Sequence, residues 1–156
     1  MSETRWLDAD EQRTWRAFLG VMQLLMDQLD RELQAEAGMS HASYEILVRL
    51  SEAADRMLRM SDLADLCLSS RSRLSHAVDR LEKLGWVQRL ECPTDKRGAF
   101  AVLTDKGFEV LEAAAHTHVE GVRTHLFDQL SPAQVKELRA IMESVLRHLQ
   151  TVHAAG

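Results

Sequence analysis

The sequence predicts a mainly α-helical chain with one small β-hairpin, an α+β fold. Three observations carry this expectation. Long stretches at both ends repeat apolar residues at steps of three and four, the period of one helical face. A central block, 86–103, switches to short runs rich in aromatic and β-branched residues around a polar turn. The two prolines, Pro93 and Pro132, both fall where the pattern changes.

The first predicted helix runs from about Asp10 to Ala37. Trp15, Phe18, Leu19, Met22, Leu25, Met26, Leu29 and Leu33 line one side of it, and Gly38 is placed to stop it. So long a stripe exceeds what a local core covers, so part of it is expected to pack on another subunit. Ser40 is an N-cap for a second helix through about Ser51, with Tyr44, Leu47, Val48 and Leu50 inward. Met57-Leu58-Arg59 reads as a brief strand. Ser61 is expected to cap a third helix, Asp62 to Cys67, that buries Leu63, Ala64 and Leu66. After Leu68-Ser69-Ser70, a fourth helix runs from about Arg71 to Leu84 on Leu74, Ala77, Val78 and Leu81, and Gly85 ends it.

Trp86 to Cys92 and Ala99 to Leu103 form the two strands, joined by Pro93-Thr94-Asp95-Lys96-Arg97-Gly98. Thr104 opens a fifth helix, predicted to reach about Leu130 on Phe108, Leu111, Ala115, Val119, Val122 and Leu126. Ser131-Pro132-Ala133-Gln134 is the signature of a sixth helix start: a capping serine, proline at the first position and glutamine at the third. The unshared apolar stripes of the terminal helices imply association between chains.

Composition narrows the function. With 156 residues, 46% of them hydrophobic and 28% charged, the chain suits one domain or two fused subdomains with a core of their own. Two cysteines, Cys67 and Cys92, are too few for a disulfide framework and point to a reducing compartment. No secretory signal and no apolar run of about 18 residues is visible, so a cytoplasmic protein without a membrane partner is expected. The net charge of −5 is unevenly spread. Residues 70–106 hold eight basic side chains against five acidic ones, while the remainder holds 11 against 19. A basic third between acidic flanks suits a protein that presents one face to DNA.

A short helix, a turn, a second helix and a basic hairpin form a winged helix-turn-helix, which places the second helix in a major groove. Ser70, Arg71, Ser72, Arg73, Ser75, His76 and Arg80 supply hydrogen-bonding groups along that helix. Arginine bonds guanine O6 and N7 bidentately, and serine reaches phosphates or base edges. Asp79 would repel phosphate and is expected to orient Arg80 or Arg73. Lys96 and Arg97 occupy the hairpin loop, and Arg97 beside Gly98 is placed to enter a minor groove.

The segment Ser70-Arg71-Ser72-Arg73-Leu74-Ser75-His76-Ala77-Val78-Asp79-Arg80-Leu81-Glu82-Lys83-Leu84-Gly85-Trp86-Val87 resembles the recognition helix of MarR-type regulators. Pro93-Thr94-Asp95-Lys96-Arg97-Gly98 and Leu103-Thr104-Asp105-Lys106-Gly107 resemble that family's wing and the start of its next helix. The resemblance covers nearly the whole chain. It implies a homodimer built from the terminal helices, 1–39 and 104–156, around a DNA-binding lobe, 40–103. It implies a pseudo-palindromic operator, a wing arginine on DNA (Arg97) and a wing acid that braces it (Asp95). It also implies a small aromatic or phenolic ligand that weakens DNA binding, with Trp15, Arg16, Met39, His41 and Tyr44 as candidate lining residues.

The expectation is therefore a ligand-responsive transcriptional repressor with no cofactor and no catalytic residues. No Gly-rich phosphate loop, H-E-x-x-H or G-x-S-x-G motif supports an enzyme. Redox sensing at Cys92 and metal binding among His116, His118, His125, His148 and His153 are weighed and set aside. Cys67 ends an apolar helical face, and His116 and His118 point to different sides of a helix, where solvated or interface histidines are expected. Two other readings stand beside the first: an architectural DNA-binding protein without a ligand, and a dimeric interaction module that has lost DNA binding.

Overall fold

The computed structural model describes residues 4–154, the side chains of Lys96, Arg97 and Ala154 excepted. The chain divides after Val119 into two compact units. The first holds α1 (Ala9–Ala37), α2 (His41–Glu52), β1 (Met57–Arg59), α3 (Met60–Leu66), α4 (Arg71–Lys83), β2 (Val87–Cys92), β3 (Asp95–Leu103) and most of α5 (Asp105–His125).

Local chemistry explains most boundaries. Asp8 caps α1 by accepting from the Asp10 and Glu11 N–H groups at 2.8 Å, and Glu11 accepts from the Asp8 N–H in return. Gly38, at φ 63°, takes the left-handed turn that ends the helix. Ser40 caps α2 by accepting from the Ser43 N–H at 3.1 Å. Ser61 does not cap α3. Strand β1 runs straight into that helix, Arg59 is the last extended residue, and Ser61 falls inside the first turn. Leu66, expected inward, is exposed; it lies about 200° around the helix from buried Ala64.

The core of this unit gathers Leu33, Leu47, Leu50, Leu63, Leu74, Val78, Leu81, Val87 and Leu103. The sheet is antiparallel in the order β1-β3-β2, with Met57 opposite Val102 and Val87 opposite Leu103. The turn between β2 and β3 is shorter than predicted, two residues, Pro93 and Thr94, because Asp95 already pairs with Cys92. The register then shifts: Glu91 pairs with Ala99, so Lys96, Arg97 and Gly98 fall between two paired positions. Along α1, Leu29 and Leu33 are buried, whereas Trp15, Leu19, Met22 and Met26 are exposed.

The second unit holds the end of α5, a 3₁₀ turn at Phe127–Gln129, and α6 (Pro132–Ala154). The fifth helix stops at His125, short of the predicted Leu130, because Leu126 leaves helical geometry at φ −125°. Ser131 accepts from the Gln134 N–H at 3.2 Å and its own N–H donates to Gln134 Oε1 at 2.8 Å, the predicted capping box. Ile141, Met142, Val145, Leu146, Leu149 and Val152 of α6 are exposed.

Candidate nucleic-acid interface

Helix α4 is anchored on one side and open on the other. Ser70 starts it by accepting from the Arg73 N–H at 3.3 Å. Leu74, Ala77, Val78 and Leu81 are buried, and each of the three larger side chains contributes about 1.5–3 kcal/mol on leaving water. Arg71, Ser72, Arg73, His76, Arg80 and Lys83 are exposed. Among the described residues, Arg71, Arg73 and Arg80 have no carboxylate within ion-pair distance. Arg73 and Arg80 lie about 20° apart around the helix, and Arg71 stands in its first turn on the other side. Cations without acidic partners along such a helix form a surface for an anion, and phosphates are the anions that a groove-reading helix meets.

The shoulder of the helix is locked from the sheet. Arg89 of β2 bonds the Asp79 carboxylate through Nη1, and its Nη2 donates to the Ser75 carbonyl at 2.9 Å and the Ser75 hydroxyl at 3.0 Å. Glu82 accepts from the Arg89 backbone N–H at 2.9 Å. Asp79 is therefore turned to Arg89, not to Arg80 or Arg73, and His76 Nδ1 lies 3.9 Å from its other oxygen. The Arg89 hydrogen bond draws the Asp79 carboxyl below its ordinary range. Ser75, predicted to face DNA, is half-buried and holds Arg89. In the sequence Arg89 is one cation of the basic third with no distinct role, since its partners lie on another element.

The wing is tied down at both ends. Thr104 Oγ1 lies 2.7 Å from the Gly85 carbonyl and 3.1 Å from that of Trp86, and accepts from the Gly107 N–H at 3.0 Å. Lys106 Nζ donates to the Leu84 carbonyl at 3.0 Å. At the far end, the Arg59 guanidinium sits 3.5 Å from the Cys92 sulfur and over the Phe100 ring at 5.3 Å. Asp95 is exposed at the start of β3. The side chains of Lys96 and Arg97, predicted to meet DNA, lie outside what the structure describes.

The fold recurs in solved proteins. Sco3205, a MarR family transcriptional regulator from Streptomyces coelicolor solved in complex with DNA, superimposes with a TM-score of 0.91 and 53% identity. The match covers 94% of this chain and 92% of that one. AbsC, another MarR family regulator of that organism, gives 0.90 and 44% identity over 95% of this chain and 99% of its own. The HTH-type transcriptional regulator PecS of Dickeya dadantii (strain 3937) is 30% identical over 84% of this chain and 79% of its own length. A sequence model of the MarR family matches residues 37–98. The chain belongs to the MarR family. It is thus a transcriptional regulator by descent, with the winged-helix fold.

In this MarR-family chain the five ligand-lining candidates fall into two groups. Met39 and Tyr44 are buried, and Tyr44 and His41 meet at 6.5 Å between ring centroids. Trp15 and Arg16 are exposed on α1, where Trp15 stacks on Phe18 at 6.0 Å. His118 of α5 joins the first group, 4.4 Å from the Tyr44 ring and 5.3 Å from that of His41. Expected to be solvated or interfacial, it is half-buried, and its Nδ1 is buried without a hydrogen-bond partner. Burial, then the nearby His41, lowers its pKa.

A separate hollow of about 450 Å³ opens between α2 and α4, lined by Ile46, Leu68, Arg73, Leu74, His76 and Arg80 among others. None of the five candidates lines it. Both cysteines are free. Burial pushes the half-buried Cys67 thiol up to about 11, which makes it inert at neutral pH. A hydrogen bond from Thr94 draws the Cys92 thiol down, but its side chain is buried. Among the described residues no group of three His, Cys, Asp or Glu side chains could hold a metal. No described helix is long and apolar enough to cross a membrane.

Proposed function

We propose that this MarR-family regulator is a repressor that binds a pseudo-palindromic DNA operator as a homodimer in the cytoplasm. The observation that carries the reading is the exposed surface of α4: among the described residues Arg73 and Arg80 on one side, and Arg71 in the first turn, stand without acidic partners while Arg89 holds the helix at Ser75 and Asp79. That Sco3205 was solved in complex with DNA supports DNA as the partner of this chain. Ser70, Ser72 and His76 complete the base-reading set, and Lys96 and Arg97, braced by Asp95, take the minor groove. The exposed apolar stripes of α1 and α6 support a dimer made by the terminal helices around the lobe at 40–103.

A small aromatic or phenolic ligand is proposed to lower DNA affinity. The support is the ring cluster of His41, Tyr44 and His118, whose buried unpartnered nitrogen offers a hydrogen bond to a phenol or carboxylate. Selection of duplexes from a random pool tests the whole reading. The expected product is an inverted repeat with half-sites about one helical turn apart. No enrichment, or enrichment of an unrepeated sequence, contradicts it.

A further inference from the structure

Helix α3 stops in an unusual way. The Leu68 N–H donates to the Asp65 carbonyl at 3.1 Å and the Ser69 N–H to the Ala64 carbonyl at 2.9 Å, the two bonds of a Schellman turn. Helix α4 ends on the same pair: Gly85 N–H to Glu82 and Trp86 N–H to Leu81. Such a turn needs one residue in the left-handed region, where a Cβ crowds the next carbonyl and glycine is favoured. Gly85 takes it at φ 75°, as Gly38 does at φ 63° after α1. At the end of α3 the residue is Leu68, at φ 49°.

Little among the described residues offsets this choice. The Leu68 side chain is 76% exposed, so it adds little to the core. A strained backbone that displays an apolar side chain to water is unfavourable twice in the free protein, and such outliers gather at functional sites. Leu68 lies two residues before the α4 N-cap and lines the hollow shared with Arg73, His76 and Arg80. A duplex drawn to those cations arrives beside Leu68. The one apolar group that a major groove displays at its base edges is the thymine 5-methyl.

We propose that Leu68 is a specificity-determining residue that packs on the 5-methyl group of a thymine in the duplex that α4 reads. The inference rests on the DNA-binding reading above. Leu68→Gly removes the side chain and suits the backbone, so its thermal midpoint is expected at or above that of the wild type. Leu68→Asn, which also tolerates this conformation, controls for added backbone freedom.

Both variants and the wild type are titrated against the duplex enriched by the wild-type chain, with each thymine replaced in turn by uracil. At one thymine per half-site, uracil is expected to weaken wild-type binding about fourfold, while neither variant responds there. Equal binding by Leu68→Gly and wild type overturns the proposal. So does a wild type indifferent to every replacement, or an Asn variant that keeps the thymine response. A wild type that enriches no duplex overturns the DNA reading itself, and Leu68 with it.

Discussion

The guanidinium of Arg89 and the carboxylate of Asp79, ten positions apart on a strand and a helix, form one ion pair that ties the sheet to the shoulder of α4. Replacing Arg89 by Ala strips partners from Asp79 and from the Ser75 carbonyl together. The expected result is a fall in thermal midpoint of roughly 4–8 °C and weaker DNA binding, although Arg89 does not lie on the exposed face. The Asp79 pKa is depressed, so the pair contributes fully above the ordinary aspartate range and fades as pH falls through the lowered value. Thermal melts of wild type and Asp79→Asn are expected to converge at low pH.

Gly107 is held by proximity. A Cβ there would stand 2.1 Å from the Trp86 carbonyl oxygen and 2.8 Å from Leu103 Cδ1. Backbone and a buried leucine cannot both give way. Gly107→Ala is expected to cost about 3 kcal/mol or more in chemical denaturation; a cost within error of zero would mean that α5 starts elsewhere.

These two positions mark what the sequence could and could not reveal. The caps at Ser40 and Ser131 are legible because each is settled within four residues. The buried side of α4 is legible from its period, and Gly107 from its motif. The Arg89 pair with Asp79 is not, because tertiary geometry decides which of several cations an aspartate meets. The surroundings of His118 are hidden for the same reason: its partners His41 and Tyr44 lie more than 70 positions away. Ser61 looks like a cap by composition, but the strand β1 before it fixes the helix start two residues earlier than predicted. The wing lies where its turn residues place it, yet its loop is shorter than they suggest, since the Asp95 pairing with Cys92 has no sequence signature.

The pKa of His118 is lowered by burial, and the sign of its effect follows. The unfolded chain binds this proton more readily than the folded one, so stability rises with pH through the window between the lowered value and the ordinary histidine pKa of about 6.5. His118→Phe is expected to flatten the stability profile in the pH range just below the ordinary histidine pKa. A mutant curve parallel to that of the wild type would remove His118 as the source.

Assembly is tested on α6. Ile141 and Leu149 are exposed in the single chain at 56% and 55%. If the terminal helices pair two chains, Ile141→Glu with Leu149→Glu puts charges into that interface and yields monomers in analytical ultracentrifugation. A double variant that sediments as the wild type does would place the interface elsewhere.

The salt dependence of duplex affinity bears most directly on the claim that the outer face of α4 meets DNA. Binding of the enriched operator is measured from low to moderate salt for the wild type, Arg73→Ala and Arg80→Ala. The wild type is expected to lose affinity steeply, and each variant to show a slope shallower by about one for every phosphate that it no longer neutralises. Slopes and affinities equal to those of the wild type in both variants would contradict the account.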